Sequence, residues 1–323
     1  MFTRVIGWID ERFPLTDTFE RHLSKYPAPI GQNFWYLAGV LLVVVLVIQL
    51  ISGIWLLMNY VPTAEGAFAS IQYIMRDVDY GWIIRYMHTT GASMFFLLIY
   101  LHMFRGLLYG SYQKPRELLW VIGWFTYIIL VAEGFTGYVL PWGQMSFWAA
   151  QVILSLVGSI PLIGEDLLTW IRGDYLISGI TLSRLFAFHV VLLPLALIAL
   201  VFVHIIALHE VGSNNPEGID IKKHTDDDGV PLDSVPFFPY DVMKDIFAIG
   251  VFLIIFCFVI FFFPDGGGYL IEYINYEEAN NLKTPDHIVP AWYYTPYYAM
   301  LRAITFPLGP LTAKFLGFAV MVG

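Results

Sequence analysis

The chain has 323 residues, of which 58% are hydrophobic and only 13% are charged, and its mean hydropathy is +0.67. Soluble domains have about a quarter charged residues, so this composition excludes a disordered or ordinary water-soluble protein. It indicates a polytopic helical membrane protein. The net charge of −9 argues against a nucleic-acid partner, because phosphate binding needs a basic surface.

The N-terminal stretch, MFTRVIGWIDERF, is charged and amphipathic and differs from a cleavable signal peptide. We predict a helix that lies on the membrane surface. Five apolar runs reach the length of about 20 residues that a span needs: 35–58, 83–109, 118–140, 184–208 and 246–263. A sixth run begins near Leu311 and ends at Gly323. It is either the start of a further span, which would continue beyond this sequence, or a short interfacial helix.

The loops between these spans fall into two alternating sets, each expected on one side of the membrane: 1–32, 110–117 and 209–245 in the first, and 59–82, 141–183 and 264–310 in the second. Ten basic residues lie in or next to the loops of the first set: Arg4, Arg12, Arg21, Lys25, Arg105, Lys114, Arg116, Lys222, Lys223 and Lys244. Six lie in or next to the loops of the second: Arg76, Arg85, Arg172, Arg184, Lys283 and Arg302. The excess in the first set predicts a cytoplasmic N-terminus. The second set therefore contains two long outer loops, 141–183 and 264–310, and loops of this length are usually functional.

Metal chemistry in this chain must rest on histidine. The single cysteine, Cys257, lies in an apolar run, and there is no CxxCH motif or cysteine set for an iron–sulfur cluster. Four of the eight histidines lie in predicted spans: His88 and His102 in the second, and His189 and His204 in the fourth. A polar side chain in lipid is costly and normally faces the bundle interior, where it has a function.

The histidines have matching separations. His88 and His102 are 14 residues apart, almost four turns, so they share one helix face about 21 Å apart. His189 and His204 are 15 residues apart, with an angular offset of about 60° that a bend at Pro194 could absorb. Side by side, the two helices would form two cross-helix pairs, which is the ligand set of low-spin haem. A lone histidine would instead be a hydrogen-bonded core or relay residue.

Glycines repeat the same interval in the other two spans. Gly39 and Gly53 are 14 residues apart in the first span, and Gly123 and Gly137 are 14 apart in the third. The shared period favours the close approach of a macrocycle edge at each level. Either pair alone would favour ordinary packing of small residues between helices.

Five stretches carry a resemblance to a known family: RGLLYGSY (105–112), GYVLPWGQMSFW (137–148), TLSRLFAFH (181–189), HEVGSNNP (209–216) and PDHIVPAWY (285–293). They are similar to signatures of cytochrome b of the respiratory cytochrome bc complex (ubiquinol–cytochrome c reductase), and the resemblance covers the whole chain. The 15-residue histidine spacing departs from the mitochondrial pattern and points to a bacterial protein.

The resemblance implies an all-α fold, a polytopic transmembrane helical bundle with a four-helix dihaem core, in the bacterial inner (cytoplasmic) membrane. It implies three segments: an interfacial helix and cytoplasmic segment (1–32), the four-helix core with its outer loop (33–240), and a C-terminal quinol-site region (241–323). The last has one full span, the outer loop 264–310 and the start of a further span.

The resemblance also implies two haems b, with ubiquinone and ubiquinol as substrates. His88 and His189 would ligate the iron of the low-potential haem near the outer face, and His102 and His204 that of the high-potential haem near the cytoplasm. The four glycines would pack against the haems. Three arginines match positions that pair with haem propionates, although without the resemblance they would read as interfacial anchors: Arg85, Arg105 and Arg184.

Two quinone sites are implied as well. The outer quinol site would use Phe135, Tyr138, Gly143, Met145, Ile153, Pro290 and Tyr293. The inner quinone site would use His209, Ser213 and Asp245, which without the resemblance would be ordinary interfacial residues. The family's Pro-Glu-Trp-Tyr motif reads PAWY here, with Ala291 in place of the acid that is credited with accepting a quinol proton.

Glu133 is our candidate for part of that proton acceptance. It lies inside the third span, four residues before Gly137, and therefore shares a helix face with it. An acid inside a span is a functional-site hypothesis by default. The alternative is a structural hydrogen bond to a neighbouring helix.

The function implied is a protonmotive quinol cycle. Quinol is oxidised at the outer site, one electron leaves through a Rieske iron–sulfur protein and a membrane-anchored cytochrome c, and the other crosses the two haems to reduce quinone. The family works as a homodimer in membrane lipid. Two rival functions are a dihaem membrane anchor, which would lack the long aromatic outer loops, and a haem-free transporter, which an optical spectrum would distinguish.

Overall fold

The computed structural model describes residues 2–20 and 24–322. Arg21, one of the basic residues counted above, and Gly323 lie outside the described residues. The N-terminal stretch is helical as predicted, and its position on a membrane surface stays a prediction. The first elements are α1 (Phe2–Asp10), α2 (Leu15–Phe19), β1 (Pro27–Pro29), a 3-10 turn (Phe34–Leu37), α3 (Ala38–Leu57), α4 (Ala67–Arg76), α5 (Gly81–Leu108) and α6 (Glu117–Val139).

The second half of the chain is also mainly helical. Its elements are α7 (Gln144–Val157), α8 (Gly164–Arg172), α9 (Gly179–Ala187), a π turn (Phe188–Leu192), α10 (Leu193–Val211), a 3-10 turn (Ile221–Lys223), β2 (Ser234–Pro236), a π turn (Phe237–Asp241) and α11 (Val242–Phe262). Three 3-10 turns follow, at Gly266–Gly268, Tyr273–Tyr276 and Trp292–Tyr294, before α12 (Thr295–Ala303) and α13 (Ala313–Val322).

All five predicted spans are confirmed as helices. Among the described residues, five helices are long and apolar enough to cross a membrane: Phe34–Leu57, Gly81–Leu108, Glu117–Val139, Gly179–Val211 and Phe237–Phe262. Lipid cannot satisfy backbone polar groups, so an apolar run of this length is stable there as a helix. The sixth run forms α13, an apolar helix of 10 residues, and both interpretations of that run stay open.

The fourth span contains a π turn at Phe188–Leu192, which includes His189. A π turn has hydrogen bonds from residue i to i+5, so it accommodates one residue more than an α-helical turn. The 15 residues from His189 to His204 therefore turn through about the same angle as the 14 residues between His88 and His102. The π turn therefore removes the angular offset between His189 and His204 that we expected a bend at Pro194 to absorb.

The chain divides into two compact units. Unit 1 comprises Met1–Val44, Leu98–Tyr127 and Ala199–Ile255, and unit 2 comprises Val45–Leu97, Ile128–Ile198 and Phe256–Gly323. Each predicted set of loops falls within one unit, and the side of the membrane on which each set lies stays a prediction. These units cut across the three chain segments implied by the resemblance.

Each unit links its own loops. In unit 1, β1 pairs antiparallel with β2, which joins the N-terminal segment to the loop after the fourth span. In unit 2, an antiparallel bridge between Gly143 and Glu278 joins the two outer loops. A core that includes Leu154, Leu168 and Leu182 packs helices α7 and α8 of the outer loop, so this loop is a folded structure and not a linker.

Candidate functional site: two histidine pairs and a cavity

The structure brings His88 and His189 together within unit 2. Their ring centroids are 6.1 Å apart and their planes are at 86°. Nδ1 of His88 is 3.0 Å from Oγ of Ser52, whose hydroxyl donates to the carbonyl of Ile48 at 2.6 Å. Nδ1 of His189 faces the backbone oxygen of Glu133 at 3.2 Å and Oε1 of the same residue at 3.1 Å.

These contacts assign the tautomer of both rings. The Ser52 hydroxyl hydrogen is committed to Ile48, so the hydroxyl oxygen is left to accept from His88. A backbone carbonyl can only accept, so His189 Nδ1 must donate to it. With the proton on Nδ1, each ring keeps a free lone pair on Nε2, which is the nitrogen that a metal ligand in this arrangement uses.

The second pair lies within unit 1, where the ring centroids of His102 and His204 are 6.3 Å apart and their planes are at 64°. Two imidazoles on opposite sides of one metal ion have centres about 6 Å apart, given metal–nitrogen bonds of about 2 Å. Both observed separations agree with this distance. The donor set and its spacing therefore fit an iron held between two neutral imidazoles at each pair.

Each of the four predicted glycines lies against one of the four histidines. A Cβ built on each would come close to a ring atom: 3.6 Å from His102 for Gly39, 3.2 Å from His88 for Gly53, 3.0 Å from His204 for Gly123, and 2.5 Å from His189 for Gly137. We expected these glycines to make room for a macrocycle edge. In the structure they make room for the imidazole rings, and at Gly137 no side chain would fit without a shift.

A cavity of about 240 Å³ lies in unit 2 and is lined by both His88 and His189; we call it the unit 2 cavity. Most of its lining is apolar or aromatic, and three further residues bring a guanidinium or carboxyl group: Arg85, Glu133 and Glu272. Tyr60, Tyr138 and Tyr293 add phenol hydroxyls. An apolar chamber with a few polar groups is typical of a site for a small molecule with an apolar ring.

The structure divides the predicted outer-site residues into two groups. Tyr138 and Tyr293 line the unit 2 cavity, as does Ala291 of the PAWY segment. The ring of Tyr293 stacks on Phe96 with centroids 4.0 Å apart and planes at 2°, and Trp292 Nε1 donates to Ser93 Oγ at 3.2 Å. These contacts attach the PAWY segment to helix α5.

The other five predicted outer-site residues do not line the cavity among the described residues: Phe135, Gly143, Met145, Ile153 and Pro290. Phe135 packs against the hydrophobic core of unit 2, and Met145 is buried. Beside Gly143, the backbone N–H of Gln144 donates to the carbonyl of Glu277 at 2.9 Å. Oε1 of Gln144 accepts from Asn280 N at 2.7 Å. This region therefore holds the two outer loops together.

Sequence reasoning missed Glu272, which lies in the second outer loop. The Tyr138 hydroxyl donates to Glu272 Oε2 at 3.0 Å, and both residues line the unit 2 cavity. Burial raises the pKa of Glu272 above its ordinary value. The two residues are 134 positions apart, so no local pattern could have indicated the contact.

Glu133 lies where the helix-face argument places it, at the unit 2 cavity beside His189. Its Oε1 is engaged with His189 Nδ1, while Oε2 is buried and has no hydrogen-bond partner among the described residues. The 3.1 Å distance leaves open the alternative that we considered, a structural hydrogen bond to a neighbouring helix. Proton acceptance by the other oxygen stays a prediction.

The three predicted propionate arginines have different surroundings. Arg85 lines the unit 2 cavity and forms no ion pair with a carboxylate in the described part of the chain. Arg105 lies over the ring of Tyr36 at 4.6 Å and donates to Ser111 Oγ at 3.2 Å. Its Nε is buried and unpaired among the described residues. Arg184 donates to the backbone oxygen of Trp170 instead.

The predicted inner-site residues lie in unit 1. His209 stacks on Tyr26 with ring centroids 4.5 Å apart, and Ser213 Oγ accepts from Gln32 Nε2 at 2.7 Å. Tyr26 and Gln32 were missed because nothing in the sequence connects the N-terminal segment to the end of the fourth span. Asp245, in the first turn of α11, is not a partner in these contacts.

The chain matches the family model described as cytochrome b/b6/petB over residues 23–212, and that of the cytochrome b(C-terminal)/b6/petD region over residues 278–323. The chain belongs to the cytochrome b/b6 family. It is therefore an all-α, multi-pass membrane protein of electron transport, and the family binds haem b. Cytochrome b is a core subunit of ubiquinol–cytochrome c reductase, so this chain is a subunit of that enzyme, as predicted.

Individual relatives agree with this assignment. Cytochrome b of Allochromatium vinosum is 56% identical over 323 residues, which cover 99% of this chain and 77% of the relative. Cytochrome b of Rhodospirillum rubrum is 47% identical over 312 residues, covering 97% and 74%. A solved hyperthermophilic respiratory Complex III contains a chain with a TM-score of 0.87 and 37% identity, with coverage of 98% of this chain and 79% of that one.

Proposed function

We propose that this cytochrome b holds two haems b and works between two quinone sites, one for quinol oxidation at the outer face and one for quinone reduction at the cytoplasmic face. The observation that carries the proposal is the presence of two facing histidine pairs with ring separations of 6.1 and 6.3 Å. One pair would give a single electron carrier, whereas two on the same helices give a route for electrons.

In this proposal His88 and His189 hold the low-potential haem near the outer face, and His102 and His204 hold the high-potential haem near the cytoplasm. When bound, each haem supplies one-electron transfer. The four glycines leave room for the ring of each ligand and for the haem edge, and the Nδ1 contacts of His88 and His189 fix those two ring orientations. Arg85 and Arg105 offer unpaired positive charge for propionates, while Arg184 would first have to leave the Trp170 carbonyl.

The proposed quinol site is the part of the unit 2 cavity that Tyr138 and Tyr293 line, beside the haem that His88 and His189 would hold. The other predicted residues would support this site from outside the cavity lining: Phe135, Gly143, Met145, Ile153 and Pro290. Quinol oxidation releases protons, and the cavity offers two carboxyl groups, on Glu133 and Glu272, that are chemically able to accept one. We propose Glu133 for part of this task because its Oε2 has no hydrogen-bond partner among the described residues.

The inner site would use His209, Ser213 and Asp245 to hold quinone and deliver protons, with Tyr26 and Gln32 supporting the first two. We further propose ubiquinone as the quinone, a cytoplasmic N-terminus in a bacterial inner membrane, and a homodimeric complex. Its partners would be a Rieske iron–sulfur protein and a membrane-anchored cytochrome c. The single cysteine of this chain supports the need for an external iron–sulfur centre.

The test is the reduction of the b-type haems by quinol in the purified complex. The absorbance of the haems is followed with and without inhibitors selective for each quinone site. A reduced-minus-oxidised spectrum with two b-type components supports two haems. An outer-site inhibitor should then block one route of haem reduction, and an inner-site inhibitor should block the other. A spectrum without b-type bands would refute the haem assignment. A single inhibitor-sensitive route would refute the two-site cycle.

A further inference from the structure

Two oxygens of one residue hold the Nδ1 atom of His189. The backbone carbonyl of Glu133 is 3.2 Å away, and its carboxylate Oε1 is 3.1 Å away. Both side chains are largely buried, with 16% of the His189 side chain and 18% of the Glu133 side chain exposed. Rotation of the His189 ring about its Cβ–Cγ bond would break both contacts, and little water is available there to replace them.

The facing ligand has a different partner. His88 Nδ1 contacts the neutral hydroxyl of Ser52, which is itself held by the carbonyl of Ile48. His189 thus donates to the backbone oxygen of Glu133 and has the carboxylate of that residue 3.1 Å from its Nδ1, whereas His88 contacts only a hydroxyl. An acceptor on the outer nitrogen of a ligating histidine, strengthened by a negative charge beside it, raises the basicity of the nitrogen that faces the metal.

Among the described residues, the carboxyl group of Glu133 has no arginine or lysine partner. Oε2 of Glu133 is buried and unpartnered among the described residues, and Arg85, on the same cavity, forms no ion pair with it. A buried anion is costly unless positive charge lies close by. An oxidised iron between His88 and His189 carries that charge, and the carboxylate would stabilise the oxidised form more than the reduced form.

We infer that Glu133 is a positioning residue that acts through His189 to lower the reduction potential of the haem held by His88 and His189. The inference rests on the proposed function, since it needs a haem at this pair. It requires the carboxyl group to be ionised, and a proton accepted on Oε2 would remove the same charge for as long as it is held.

The experiment is a potentiometric titration of the b-type absorbance in the purified complex, at one fixed pH, for wild type, Glu133→Gln and Ser52→Ala. Glu133→Gln keeps the size of the side chain and an acceptor oxygen but removes the charge. We expect it to favour reduction of one haem about tenfold, which is a positive shift of about 59 mV for one electron. Ser52→Ala, which removes a neutral partner, should shift the same haem by less than about threefold.

The other haem is an internal control, and its potential should not move. An unchanged potential in a haem-containing Glu133→Gln complex would overturn the inference, and so would an equal shift of both haems. If Glu133→Gln does not assemble, Glu133→Thr replaces it as the neutral variant, and Glu133→Asp, which keeps the charge, should stay near the wild-type potential. Absence of b-type absorbance from the wild type would instead refute the proposed function.

Discussion

The glycine that faces His189 gives the sharpest prediction. In Gly137→Ala, the new Cβ would lie 2.5 Å from Cε1, 3.0 Å from Nδ1 and 3.1 Å from Nε2 of that ring. Carbon atoms in contact normally lie about 3.5–4.0 Å apart, so the ring would have to retreat by about 1 Å. It is not free to do so, because Glu133 holds its Nδ1. Such overpacking costs about 1–3 kcal/mol, or about 5- to 150-fold weaker haem retention at about 1.4 kcal/mol per tenfold.

The matched control is Gly39→Ala, whose Cβ would lie 3.6 Å from His102, an ordinary contact distance. The assay is the reduced-minus-oxidised spectrum and the haem content of each purified complex. We expect Gly137→Ala to lose one of the two b-type components and Gly39→Ala to keep both. Gly53→Ala and Gly123→Ala, at 3.2 and 3.0 Å, should fall between them. Full haem content in Gly137→Ala, or an equal loss in Gly39→Ala, would refute the reasoning.

Three further predictions concern the contacts around the two quinone sites. Burial raises the pKa of Glu272, so the stability that comes with its protonated form is present at low pH and is lost as the pH rises through that raised pKa. Glu272→Gln, which can still accept from Tyr138, should flatten the fall of the melting temperature over that rise in pH, and an unchanged profile would contradict this. Gln144→Ala removes side-chain hydrogen bonds to loop 264–310 and should destabilise the packing of the two outer loops by about 1–3 kcal/mol. We expect faster proteolysis of that loop and slower quinol oxidation, whereas proteolysis at the wild-type rate would argue against this prediction. Arg116 donates to two backbone carbonyls after the fourth span, so Arg116→Ala should slow inner-site quinone reduction while outer-site oxidation stays intact, and an equal loss at both sites would count against this prediction.

The features that the sequence predicted well are those that lipid and helix geometry impose. A span must be a long apolar helix, and all five were found. Their ends were less certain: the regular α-helix of the fifth span begins at Val242, four residues before the predicted start at 246. It follows a π turn in which Phe238 has non-helical backbone angles. Hydropathy placed the start later because this stretch is polar; Asp241 and Lys244 form an ion pair there at 3.1 Å.

Contacts between distant loops could not be predicted. The hydrogen bond from Tyr138 to Glu272 depends on how two outer loops fold against each other, and no periodicity relates their residues. The same applies to the stacking of His209 on Tyr26. The π turn at Phe188–Leu192 could not be predicted, because it is defined by backbone hydrogen bonds. The sequence showed only its consequence, a histidine spacing of 15 residues in place of 14.

The contacts in the structure show that the glycine spacing depends on the histidine spacing. We took the 14-residue period of the glycines as support for haem that was separate from the period of the histidines. In the structure Gly39 faces His102 and Gly53 faces His88, so the two periods are linked. Each imidazole ring packs against a glycine on a neighbouring helix. Two histidines 14 residues apart on one helix therefore require two glycines at about the same spacing on the helix beside it. The glycines therefore tell which spans pack against the histidine helices, while the support for haem comes from the paired rings and from the proton on Nδ1 of His88 and His189.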